Sequence, residues 1–73
     1  MTMNKNQIGA NAGIIWRALE NRGSLNIEEI QAETGLDLTA ILTAIGWLAR
    51  EDKISFNKEN NVTLVRLYQE TYY

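Results

Sequence analysis

Residues 26–51 read NIEEIQAETGLDLTAILTAIGWLARE, and two helices with a corner between them account for the whole stretch. Asn26 is a good N-cap, Glu29 stands at the third helical position to close a capping box, and Leu25 before the cap can staple onto Ile30. A helix therefore runs from Ile27 to Thr34. Gly35 tolerates the positive φ that ends a helix, and Gly35-Leu36-Asp37 leaves room only for a sharp corner. The device then repeats. Leu36 precedes the cap, Asp37 caps, Ile41 is the staple partner, and the next helix runs from Leu38 to about Glu51. Three-and-four spacing gives this helix an inward face of Leu38, Ile41, Leu42, Ile45, Leu48 and Ala49. Thr39, Ala40, Thr43, Gly46, Trp47 and Arg50 are then outward.

Upstream, Ile8, Ala12, Ile15, Trp16 and Leu19 mark one face of a first helix, capped by Asn4 with Gln7 or by Asn6 alone and stopped at Gly23. Gly9 and Gly13 lie one turn apart inside it, each costing about 1 kcal/mol of helix propensity relative to alanine. That cost predicts a close neighbour there, either the domain's own helices or a helix of a second subunit. Ile14 and Ala18, off the main face, point to the second subunit. Ser24-Leu25 is a short extended link. After Glu51-Asp52 the period becomes alternating: residues 53–57, KISFN, place Ile54 and Phe56 on one side, residues 58–61 form a polar turn, and residues 62–67 are rich in β-formers. This is a hairpin, with Val62 and Leu64 competing against Val65 and Leu67 for its inner face. Residues 68–73, YQETYY, form a third strand, a docked arm or a frayed end.

Seven basic and nine acidic residues leave a net charge of −2 on 73 residues. A free-standing nucleic-acid binder usually has a basic surplus, because phosphate neutralisation dominates its affinity. With no cysteine and no histidine, thiolate zinc sites, imidazole ligands and Ser-His-Asp or Cys-His catalysis are excluded by inventory. No carboxylate pair stands with an acid or base partner, so the chain reads as non-enzymatic, with no cofactor and no small-molecule substrate. Residues 1–7 lack the regions of a signal peptide and no apolar run is long enough to span a membrane, which predicts a cytoplasmic protein. A single domain over residues 1–73 is expected, near the size at which one core is only just sufficient.

Helix, link, helix, tight turn, helix and hairpin in that order resemble the winged helix-turn-helix domain. Leu25, Ile30, Thr34-Gly35-Leu36, Asp37, Ile41, Ile45, Leu48 and Lys53-Ile54 carry the resemblance. The chain is also similar, through residues 8–13 and 46–50, to a group of very small stand-alone bacterial winged-helix proteins of unassigned function. The resemblance implies an α+β fold of three helices followed by an antiparallel wing of two strands, or alternatively three, with the helix-turn-helix at 26–51, the wing at 53–67 and a C-terminal arm at 68–73. It also implies a DNA-binding or transcription-associated module acting as a homodimer, in which the third helix enters the major groove and the hairpin reaches an adjacent groove. The base-facing positions would be Thr39, Ala40, Thr43 and Trp47, leaving Arg50, Lys53, Lys58 and Arg66 for phosphates. Yet no Arg, Lys, Asn or Gln occupies the first two turns of that helix, where bidentate base readout is expected. The alternative is a protein-interaction module that does not touch nucleic acid, with Gly9, Gly13, Ile14, Trp47, Tyr68, Tyr72 and Tyr73 at a dimer or partner interface. Trp47 divides the readings: it packs within the domain, fills a partner's pocket, or stacks on a base. Trp16 belongs to the core.

Overall fold

The computed structural model describes residues 4–68. Helix α1, Lys5–Arg22, opens with the first of the two predicted caps: Asn4 Oδ1 accepts from Gln7 N at 2.9 Å, and Asn4 N donates to Gln7 Oε1 at 3.1 Å. Ala12, Ile15 and Leu19 form its buried stripe. Helix α2, Ile27–Thr34, repeats the device, with Asn26 N donating to Glu29 Oε1 at 2.9 Å and Glu29 N donating to Asn26 Oδ1 at 2.8 Å. Gly35 closes α2 in the left-handed conformation at φ 71. Asp37 then accepts from Ala40 N at 2.8 Å and opens α3, Leu38–Arg50. Both expected staple pairs, Leu25 with Ile30 and Leu36 with Ile41, belong to the same core, Leu36 only partly covered. An Arg22–Glu33 ion pair links the end of α1 to α2.

The end of α3 carries a signal that the sequence hides. Lys53 N donates to Leu48 O at 2.9 Å and Asp52 N to Ala49 O at 3.1 Å, a Schellman pair, with Asp52 at φ 56 in the place usually held by glycine. This turn aims the chain into β2, Ile54–Glu59, which pairs antiparallel with β3, Val62–Leu67. The turn between them is shorter than residues 58–61. Lys58 and Glu59 belong to β2, and only Asn60 and Asn61 turn, both at positive φ as a type I′ hairpin requires. The register follows: Phe56 opposes Val65 and Ile54 opposes Leu67, so Val65 and Leu67 share the core side while Val62 and Leu64 face away.

The sheet has a third strand, supplied by the short link after α1. The link Ser24–Leu25 is β1, pairing with β3 to give the order β1-β3-β2. Leu25 thereby enters the core with Ile15, Leu19, Ile30, Ile41 and Val65, all essentially fully buried. Residues 69–73, including Tyr72 and Tyr73, lie outside the described residues. The winged-helix layout is thus present in full, with β1 completing the wing sheet.

One expected face is rotated. Ala40 and Ala44 are buried beside Ile41, Ile45 and Leu48, whereas Leu38 and Leu42 are 50% and 52% exposed. Leu38, Leu42, Ile45 and Ala49 do form one rail at heptad spacing, but only its second half is covered, with Ile45 buried and Ala49 partly buried. The packing side of α3 is instead its small-residue flank, where alanines let it lie close to α1, which it contacts extensively.

Candidate functional site

The open side of α3 consists of two adjacent rails. One is apolar, Leu38 with Leu42; the other runs Thr39, Thr43, Gly46, Arg50, exposed except for the half-covered Thr43. Of the expected base-facing set, Thr39 and Thr43 therefore share a side with Arg50. Ala40 does not, being buried against the core. The Thr43 hydroxyl donates to Thr39 O at 2.6 Å, so its proton is used within the helix. Asp37, engaged with Ala40 N, holds a carboxylate at the end of α3 that would approach phosphate.

The four candidate cations are divided between α3 and both faces of the sheet. Arg50 lies on the open side of α3. Lys53 lines the cleft between α1 and the end of α3. Lys58 pairs with Thr63 and points to the core side of the sheet, while Arg66 pairs with Ser55 and Ser24 and points to the opposite side. There Arg66 lines a depression with Leu19, Glu20, Gly23 and Ser24 at the end of α1. Phe56, on the core side of β2 but beyond the helices' cover, is 52% exposed.

Trp47 lies at the border of α3's buried side, half-buried, packed on the core. With Trp16 it walls a cleft of about 380 Å³ whose floor is Gly9, Ala12 and Gly13, with Leu48, Glu51 and Lys53 completing the lining. A neighbouring depression shares Trp16 and Lys53 and adds Asp52, Leu67 and Tyr68. The glycines were expected to mark a close neighbour within the domain or across subunits. Among the described residues there is none: a Cβ at Gly9 or Gly13 would meet nothing within 4 Å beyond the helix's own backbone. The cleft thus gathers Gly9, Gly13 and Trp47, with Tyr68 at its continuation, but not Ile14, which is 44% exposed and lines neither depression. Trp16, expected in the core, is half-buried and shared between the two.

Among the described residues, no group of three or more carboxylates, with the chain lacking Cys and His, stands close enough to hold a metal ion. No described helix is long and apolar enough to cross a membrane.

Residues 3–67 match a family described as a winged helix-turn-helix domain (DUF2582). The chain is 38% identical over 63 residues to the uncharacterized protein MJ1608 of Methanocaldococcus jannaschii, covering 84% of this chain and 90% of the relative. It is similar in structure to the protein BT2368 of Bacteroides thetaiotaomicron, solved by solution NMR, with a TM-score of 0.79 and 35% identity over 89% of this chain and 79% of that one.

Proposed function

The chain belongs to the winged helix-turn-helix family designated DUF2582, and from that premise we propose that it is a non-enzymatic binding module that acts as a homodimer through protein contacts rather than by reading DNA bases. One observation carries this reading: Arg50 lies on the open side of α3, while Lys58 and Arg66 point to opposite faces of the wing sheet. Phosphate contacts must lie along one surface to follow a duplex, and each contributes through the counterions it releases. Here the surface where a recognition helix would meet DNA offers two leucines, two threonines, a glycine and a single arginine. Such a face suits another protein, because exposed apolar side chains lose water on contact while demanding no charge partner.

Direct DNA binding is the second reading, favoured by Thr39, Thr43 and Arg50 sharing the open side of α3. Fluorescence anisotropy of labelled genomic duplexes at low and high salt separates the two. Protein contact predicts no saturable binding at low salt. Saturable binding that falls steeply with salt and is weakened by Arg50→Ala supports the second reading instead.

A further inference from the structure

The backbone phase of β2 can be read from one bond beyond its end. Tyr68 N donates to Lys53 O at 2.9 Å, in register with the Ile54–Leu67 pair that follows. In an antiparallel ladder the residues that exchange bonds with a given neighbour alternate. Lys53, Ser55, Asn57 and Glu59 therefore turn their N–H and C=O groups to β3, and Ile54, Phe56 and Lys58 turn theirs to the other side. Among the described residues no strand lies there, since the sheet order is β1-β3-β2. These three residues make no backbone hydrogen bond on that side to any described residue. The opposite edge of the sheet is β1, two residues long and followed at once by α2, so β2 is the usable edge.

Long open edges are ordinarily blunted by proline, a bulge, inward charges or shortness. Here β2 is six residues long and unbulged, and Lys58 is its one charge on the open-edge residues. Its pattern is also self-complementary. In an antiparallel pairing of two copies centred on Phe56, all three outward residues find partners: Phe56 meets Phe56 of the second copy, and Ile54 meets its Lys58. On the other face of the sheet the same register sets Lys53 opposite the second copy's Glu59 and Ser55 opposite its Asn57. Centring the pairing one residue either way leaves Ile54 or Lys58 without a partner and separates Lys53 from Glu59.

We propose that two copies of this chain associate through the open edge of β2, joining their sheets about a two-fold axis at Phe56. The pairing rests on the self-association reading above and names its surface. It brings together two half-exposed phenylalanines, satisfies backbone groups that no described residue bonds in the single chain, and matches opposite charges at both ends of the contact.

The test uses sedimentation equilibrium, amide exchange and single cysteines, which are unique probes because the native chain has none. Hydrogen-bonded antiparallel partners stand about 5.5 Å apart at Cα, within the roughly 4.4–6.8 Å that a disulfide spans. Phe56→Cys should form an interchain disulfide at least about tenfold faster than Thr63→Cys, which lies on the interior strand β3. In the native chain the Phe56 and Lys58 amides should be protected from exchange, with protection lost on dilution to monomer. A dimer mass without that protection, and with Phe56→Cys no faster than Thr63→Cys, overturns the edge pairing while leaving self-association intact. A single-chain mass at high micromolar concentration overturns both.

Discussion

Gly13→Ala tests whether the cleft between α1 and α3 is open in solution. Gly13 lies in the interior of α1 and is exposed, and an added Cβ meets no atom within 4 Å. The substitution therefore meets no clash among the described residues, and the helix gains about 1 kcal/mol from the better propensity of alanine and the narrower unfolded ensemble. For a domain of this size about 1 kcal/mol raises Tm by roughly 4–8 °C. Thermal unfolding by circular dichroism, at one fixed protein concentration because self-association makes Tm concentration-dependent, reads the shift. If the two copies join at β2, the mass is unchanged and the gain appears in full. A lowered Tm together with a fall in dimer mass would mean that a second copy rests on Gly9 and Gly13, which would refute both the open cleft and the edge pairing.

Asp52→Gly relieves a left-handed aspartate at the Schellman turn and should stabilise the chain by about 1 kcal/mol in urea titration; no change would mean that the turn is not held at positive φ in solution. Trp47→Ala should cost about 2 kcal/mol, less than the 3–5 of a fully buried aromatic because Trp47 is half-buried, as read from the same titration. Leu42→Ser should shift stability by no more than about 0.5 kcal/mol whereas Ile45→Ser should cost several times that, and equal losses would place the packing side of α3 elsewhere. Asp37→Ala should cost about 1 kcal/mol through loss of the bond to Ala40 N, with Asp37→Asn recovering most of it.

What could be read before the structure was mainly local. The caps at Asn4, Asn26 and Asp37 and the stop at Gly35 involve residues three or four apart, so their chemistry is visible in order along the chain. The same reasoning failed where a distant partner decides. Ser24–Leu25 becomes a strand only because β3 lies beside it, and two residues carry no period of their own. Leu38 and Leu42 continue the apolar spacing of Ile45 and Ala49, but spacing does not say where the covering ends. The left-handed turn at Asp52 lacks the glycine that would have marked it. The scatter of the cations depends on the two-residue Asn60-Asn61 turn and the three-strand order, which together put Lys58 and Arg66 on opposite sides of the sheet.

The most direct test is sedimentation equilibrium of the native chain with dye-labelled duplex DNA at low salt, followed at the protein and dye wavelengths together. A homodimeric protein-contact module predicts a protein mass of two chains, with the dye distributed as free duplex. Protein sedimenting as a single chain, or dye carried down with it, would contradict the account.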